Sequence, residues 1–279
     1  MALYIADFDS HSVDAAPSGW TARWTTTNST WAIRSKTGIP FQVLEHTASS
    51  TGARRLLSWD SLDSDADRAN VEVLALIRSN STVSLQNNVL VRGAGAAGSE
   101  TAYGLVTNNT AFHLNKWVSG TSTQLGSTLS TPAFTAGTWY WVRLRVNGTA
   151  IKAKVWLDGT AEPASWSSEV TDSAVAAAGW VGVGAFQASG IRDFGYVAIG
   201  TNGDSPAFIT VNPRLYQAAA ETLVQGDPQL HISQAALEFL VGEPIPLRVH
   251  QAAVEVLVDN NTPAAPPSGG DYVIINVCT

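Results

Sequence analysis

The sequence predicts an all-β fold, a β-sandwich followed by a small repetitive β-rich C-terminal region. Between Leu3 and about Gly200, short apolar runs are interrupted by Gly, Pro, Asn and Ser, and no stretch has a helical period. Only 14% of the 279 residues are charged, well below the roughly 25% of an average soluble domain. Ser, Thr, Asn, Gly and Ala must therefore cover much of the surface, as in many extracellular and virion proteins.

Several apolar runs within this first region are predicted to be strands of the sandwich. They are short, they are bounded by turn residues, and two of them alternate apolar and polar positions. The predicted strands lie at 70–78, 88–92, 179–186 and 194–199. The sandwich domain is expected to occupy residues 1–205.

A hairpin from Trp139 to Asp158 is the clearest single element. Asn147-Gly148 is a dipeptide that favours a type I′ turn. With these two residues as the loop, Val146 faces Thr149, and one face of the hairpin is apolar and directed to the core. The predicted pairs on the other face are Trp139 with Trp156, Trp141 with Lys154, and Arg143 with Lys152.

Three copies of one short sequence follow the sandwich, at 215–224, 232–241 and 249–258. Two positions in each copy recur at intervals of seventeen residues, namely Gln217, Gln234 and Gln251, and Glu221, Glu238 and Glu255. Such a unit buries its apolar face only against neighbours. Residues 206–260 are therefore predicted to serve assembly or attachment, in a homo-oligomer that we expect to be a trimer. For the repeats, strands are favoured over helices, although Gln-Ala-Ala-Leu-Glu would suit a helix.

Residues 261–279 are predicted to form a Pro/Gly linker and a terminal strand.

Composition excludes several classes of function. The net charge of -7 argues against a nucleic-acid binder, because phosphate neutralisation needs a basic surface. We expect no membrane insertion and no export signal, since no apolar run is long enough for either. Synthesis in a host cytoplasm is therefore expected. The single cysteine, Cys278, allows no intramolecular disulfide and no cysteine metal cluster.

The first region resembles the concanavalin A-like (laminin G-like) jelly-roll domains of tailed-bacteriophage structural proteins. The resemblance is carried by Phe8-Asp9 with Gly19-Trp20 and by the segments 139–148, 154–166 and 193–200. The C-terminal copies look like the tandem VSQAAVEVLV-type segments of phage minor structural proteins. Together the two resemblances imply a virion component, in which a lectin-like sandwich is displayed and the repeats attach it to other virion proteins.

The outward face of the hairpin is the candidate glycan-binding site. Trp139, Trp141 and Trp156 share this face with Arg143 and Lys154. Aromatic rings beside cations suit stacking on a sugar ring and hydrogen bonding to its hydroxyls or acids. The alternative is that another sheet, a loop or a subunit covers these side chains.

Calcium is the one metal that the sequence suggests, and no cofactor or catalytic group is predicted. Asp60, Asp63, Asp65 and Asp67 offer alternating carboxylates, although the loop lacks the glycine of an EF-hand. Asp7, Asp9 and Asp193 are a second weak candidate set. The acid-rich stretch is otherwise typical of a solvated loop.

A glycine motif at 93–98 matches the G-x-G-x-x-G pattern of dinucleotide-binding proteins. That fingerprint requires a helix directly after it and an acidic residue about twenty residues further on. Here a turn and a strand follow instead. The motif is therefore predicted to be a β-hairpin loop.

These features predict a non-enzymatic virion structural protein of a bacteriophage, a tail, fibre or minor tail component. Its sandwich is expected to contact a glycan on the host surface. The first alternative is a capsid decoration or connector protein whose sandwich only packs against its neighbours. A weaker alternative is a polysaccharide-degrading enzyme, although the two carboxylates that a glycosidase needs are not evident.

Overall fold

The structure is a computed structural model, and it describes only part of the chain. The described residues are 3–6, 8–24, 29–39, 41–49, 53–62, 68–80, 85–108, 111–187 and 189–207. All of them belong to the first of two compact units, Met1–Thr222 and Leu223–Thr279. The predicted repeats at 215–258 and the linker and strand at 261–279 lie outside the described residues.

The described part of the chain contains fifteen β-strands and one 3-10 helix, Asp60–Leu62. The strands are β1 Leu3–Ala6, β2 Trp20–Ala22, β3 Ser29–Arg34, β4 Val43–Ala48, β5 Ala53–Trp59, β6 Val71–Ser79, β7 Leu85–Ala94, β8 Thr101–Asn108, β9 Ala111–Val118, β10 Thr121–Leu129, β11 Tyr140–Asn147, β12 Ala150–Leu157, β13 Ser168–Thr171, β14 Trp180–Gln187 and β15 Gly190–Gly200. The four strands predicted within the sandwich are confirmed, with bounds that differ by a few residues.

The strands form two antiparallel sheets. The first sheet has the order β13-β12-β11-β6-β15-β4-β3, and β1 also pairs with β15. The long strand β15 pairs with β4 through 190–194 and with β1 through 197–200. The second sheet has the order β10-β9-β8-β7-β14-β5-β2. The two sheets form the predicted β-sandwich.

The main core lies between the two sheets and consists of the inward side chains of both. Its fully or almost fully buried members include Phe8, Ile33, Leu44, Val73, Tyr103, Phe112, Val142, Val183 and Phe194. The core residues that lie on strands occupy alternate positions, as the pleat of a β-strand requires. Burial of this apolar surface is the main term that stabilises the sandwich.

The hairpin of β11 and β12 turns one residue later than predicted. Its loop is Gly148-Thr149, and Asn147 pairs with Ala150. Only Gly148 of the two has a positive φ, 58°, which suits the first central position of a type II′ turn. The predicted pairs are therefore wrong by two positions, and the observed ones are Trp141 with Trp156, Arg143 with Lys154, and Arg145 with Lys152. The predicted faces remain right because a shift of two positions preserves alternation.

On the outer face of the second sheet, large side chains pack directly over glycine residues. A Cβ atom on Gly104 would lie 2.8 Å from the ring of Trp117 and 2.9 Å from Leu90. The ring of Trp117 stacks on Phe186, with centroids 4.9 Å apart and planes 11° from parallel. Because glycine has no side chain, these positions leave room for a second, smaller apolar cluster.

Candidate functional site

The five predicted glycan-binding side chains lie on the outer face of the first sheet. Trp141 and Trp156 are neighbours there, with ring centroids 6.3 Å apart. Only 9% of Trp141 and 3% of Trp156 is exposed. Trp139 is half-buried and packs against Phe41, with ring centroids 5.6 Å apart. The structure thus brings these residues together as predicted, but little of the two central rings reaches solvent.

The loop between β12 and β13, residues 158–167, contacts this aromatic pair and the two basic side chains beside it. Trp141 donates a hydrogen bond from Nε1 to Asp158 Oδ1 over 2.7 Å. Lys154 donates from Nζ to the carbonyl of Pro163 over 2.8 Å, and Nζ lies 5.0 Å from the ring centroid of Trp166. These contacts correspond to the alternative in which a loop covers the aromatic and basic side chains of this face. Glycan binding by this face stays a prediction.

Two carboxylates neutralise the cations of the same face. Arg143 donates to Glu72 Oε1 over 2.5 Å and to Glu162 Oε2 over 2.8 Å. Lys154 Nζ lies 2.6 Å from the other oxygen of Glu162. The side chains of Arg143 and Glu72 are only 7% and 2% exposed. The like charges that face each other across β11 and β12 are therefore compensated by acids of this chain.

Residues 201–207 cross the same sheet after β15 ends. Arg145 donates to the carbonyl of Gly203 over 3.1 Å. The hydroxyl of Ser205 lies 3.4 Å from Glu72 Oε2, and the Tyr196 hydroxyl donates to the carbonyl of Ala207 over 2.9 Å. These contacts fix the last described residues to the outer face of the first sheet.

An open cleft lies beside the covered face, between the β10–β11 loop and the β12–β13 loop. Its volume is about 550 Å³. Five hydroxyl side chains line it, Thr128, Ser130, Thr131, Thr160 and Ser167. Its apolar lining residues include Pro132, Leu157, Pro163 and the buried Trp156. The described lining contains no charged side chain.

Leu157 is the most exposed large apolar residue of this lining, at 38%. It is the last residue of β12 and pairs with Tyr140. Thr160 anchors the start of the β12–β13 loop, because its hydroxyl donates to the Leu157 carbonyl over 2.6 Å. This cleft was not predicted from the sequence. The Ser/Thr-rich run at 127–132 was the signal that could have indicated it.

The predicted calcium ligands are not brought together within the described residues. Asp60 pairs with Arg23 over 3.7 Å, and Asp63, Asp65, Asp67 and Asp7 lie outside the described residues. Asp9 accepts a hydrogen bond from the backbone of Gln42 over 2.8 Å. Asp193 accepts from Arg78 over 2.6 Å and pairs with Lys36. In the described ranges, no three His, Cys, Asp or Glu side chains are arranged to hold a metal ion.

The glycine motif at 93–98 forms the predicted hairpin loop between β7 and β8. Gly95 has a φ of 84°, and a Cβ atom there would lie 2.3 Å from the Ser99 carbonyl oxygen. Glycine is required at this position by both conformation and space. The carboxylate of Glu100 accepts a hydrogen bond from the Gly98 amide over 2.7 Å. A strand and not a helix follows, so the dinucleotide-binding arrangement is absent from this loop.

Among the described residues, no helix has the length and the hydropathy that are needed to cross a bilayer.

A buried cluster of basic side chains lies near the starts of β5 and β15. His46 and Arg192 are fully buried, and Arg55 is 2% exposed. Arg192 Nη1 lies 3.4 Å from His46 Nδ1, and Nη2 donates to the Phe186 carbonyl over 3.1 Å. Burial, together with the charges of Arg192 and Arg55, lowers the pKa of His46 to about 3. His46 is therefore neutral in the folded protein at neutral pH.

Acid is expected to destabilise the fold through His46. The pKa of His46 in the folded protein lies below its value of about 6.5 in the unfolded chain. Below pH 6.5, His46 is therefore protonated in the unfolded chain but stays neutral in the folded protein. The free energy of unfolding should fall from about pH 6.5 down to about pH 3, by up to about 4 kcal/mol in total. Urea unfolding at a series of pH values measures this.

His46→Gln should flatten this pH dependence, because it removes the imidazole that takes up a proton on unfolding. Part of the slope should remain in the His46 variant because burial also lowers the pKa of His113. An equal slope in the wild type and in His46→Gln between pH 6.5 and pH 4 would contradict the assignment.

Comparison with solved structures supports the sandwich fold. A crystal structure of a protein of unknown function from Shewanella oneidensis MR-1 is 17% identical with a TM-score of 0.52, over 74% of this chain and 89% of that one. The exoplasmic domain of VIP36, in a Ca2+/Man-bound form, is 8% identical with a TM-score of 0.49, over 71% and 89%. The CBM2 module of the evolved Dit of Lactobacillus casei BL23 phage J-1 is 12% identical with a TM-score of 0.45, over 72% and 96%. No protein-family model and no curated protein matches the sequence. At 17% identity, the similarity to the Shewanella oneidensis structure shows the fold alone.

Proposed function

We propose that this chain is a non-enzymatic structural protein of a bacteriophage virion, a tail or fibre component whose sandwich contacts a glycan on the host surface. The repeats at 206–260, with Gln217, Gln234 and Gln251 in strict register, would assemble copies of the chain and join them to other virion proteins.

The observation that carries the glycan contact is the composition of the open cleft. Its lining combines hydroxyl groups with apolar surface, and sugars present the same two kinds of group. Glycoside hydrolysis instead needs two carboxylates that flank the bond. The two carboxylates of the adjoining loop are engaged within the chain, Asp158 by Trp141 and Glu162 by Arg143 and Lys154. The described lining therefore suits binding without hydrolysis.

A capsid decoration or connector protein is the second candidate. The observation in its favour is the extent of self-coverage on the outer face of the first sheet, where Trp141 and Trp156 pack within the chain. In that case the sandwich would only pack against neighbouring subunits.

Incubation of the full chain with a panel of purified bacterial surface polysaccharides separates the candidates. Both the retained polysaccharide and newly formed reducing ends are measured. We expect retention of at least one polysaccharide without new reducing ends. Release of reducing ends would show an enzyme, and failure to retain any member of the panel would favour the purely structural alternative.

A further inference from the structure

We infer that the cleft between the β10–β11 loop and the β12–β13 loop binds a neutral sugar, with Leu157 as the apolar contact for the sugar ring. This inference rests on the proposed glycan contact and assigns it a place and a ligand class. A volume of about 550 Å³ falls within the range of roughly 300–1,000 Å³ that is common for small-molecule sites.

The hydroxyl groups of the lining fit a ligand that both donates and accepts hydrogen bonds. Ser130, Thr131 and Ser167 are exposed, and their hydroxyls make no hydrogen bond within the described part of the chain. Each hydroxyl offers one donor and two acceptor positions. A polyhydroxyl ligand is the chemical class that matches such a set.

The charges around the cleft disfavour an acidic sugar. Lys154 donates to the carbonyl of the lining residue Pro163. Lys154 and its neighbour Arg143 are 7% and 6% exposed and are paired with Glu162 and Glu72. A carboxylate or sulfate on the ligand would find no compensating charge in the described lining. The net charge of -7 adds a long-range repulsion. A neutral sugar meets neither penalty.

Leu157 is the most exposed large apolar side chain in this lining. Trp156 also lines the cleft but is only 3% exposed, whereas Leu157 is 38% exposed. Stacking on a fully accessible aromatic ring is therefore not available here, and the apolar contact is modest. We expect a dissociation constant on the order of 1 mM for a disaccharide. Several copies held together by the repeats would raise the avidity of the whole assembly.

Saturation-transfer NMR on the full chain tests the inference. The probes are lactose, maltose, cellobiose and a rhamnose disaccharide, with a glucuronate and a sialate disaccharide as acidic counterparts. The test variant is Leu157→Arg, which places a long charged side chain in the cleft. The matched control is Val118→Arg, because Val118 is also 38% exposed and is the last residue of β9, where it pairs with Thr121 at the end of β10 that is remote from the cleft.

We expect transfer to at least one neutral sugar, no transfer to the acidic ones, and at least about tenfold weaker binding by Leu157→Arg. Val118→Arg should bind like the wild type.

Equal binding by both variants would overturn the cleft assignment and leave the proposed glycan contact in place. Preference for the acidic sugars would overturn the ligand class. Absence of transfer to every neutral sugar at millimolar concentration would overturn the inference, and the polysaccharide retention assay then decides the proposed function separately.

Discussion

Replacing Arg143 with methionine is expected to lower the free energy of unfolding by about 3 kcal/mol. The variant leaves Glu72 as a buried carboxylate, 2% exposed, without its 2.5 Å partner. It also removes one of the two cations that hold Glu162 and the β12–β13 loop. The remaining contact of Glu72 with Arg145, at 3.5 Å, limits the loss to the lower end of the range for broken buried pairs.

Arg145→Met is the matched control for this experiment. Arg145 lies on the same strand and the same face as Arg143 and contacts the same carboxylate, but its side chain is 32% exposed. Solvent screens such a pair, so its loss should cost at most about 1 kcal/mol. Urea unfolding of both variants at pH 7 gives the comparison. Equal losses would show that Arg143 is not the residue that fixes the loop to the sheet.

Replacing Gly182 with alanine should destabilise the sandwich by about 3 kcal/mol, the upper end of the usual cost of overpacking. Gly182 lies on β14 between β5 and β7, paired with Ser58 and with Leu90. A Cβ atom there would lie 2.1 Å from the Leu57 carbonyl oxygen and 2.9 Å from the Ser58 Cα. Backbone atoms cannot rotate away as side chains do, so two strands of the sheet must separate.

Gly137→Ala separates the steric cost of an added Cβ atom from the cost of a left-handed backbone conformation. Gly137 has a φ of 78° and no atom within 4 Å of an added Cβ. The variant should therefore cost only about 1 kcal/mol, from the left-handed conformation alone. Thermal unfolding of the two variants provides the measurement. If Gly182→Ala were no more destabilising than Gly137→Ala, close packing between β5 and β14 would not be the reason for glycine at position 182.

The faces of the strands were predictable from the sequence, but the exact turn was not. Alternation assigned Val142 and Leu144 to the core and Arg143 to the outer face, and the structure confirms each assignment. Asn147-Gly148 and Gly148-Thr149 both satisfy the local requirement for a positive φ. The choice between them depends on pairing along the whole hairpin, which a local pattern does not contain.

The coverage of the aromatic and basic face was not predictable from β11 and β12 alone. The contacts come from Asp158, Glu162 and Pro163 in the next loop and from Glu72 on a strand that is distant in sequence. No spacing rule links Glu72 to Arg143. The cleft is likewise formed by two loops that are separate in sequence, and the sequence marks them only by serine and threonine content.

Hydrogen–deuterium exchange of the full chain, with and without a neutral sugar that it retains, tests whether the sugar binds in the cleft. The cleft assignment predicts that added sugar slows amide exchange in 128–132 and 155–167, where the two loops face the ligand. Exchange at Val118 and its neighbours should not change. Protection elsewhere in the sandwich, with none in these two segments, would contradict the assignment of the glycan contact to the cleft.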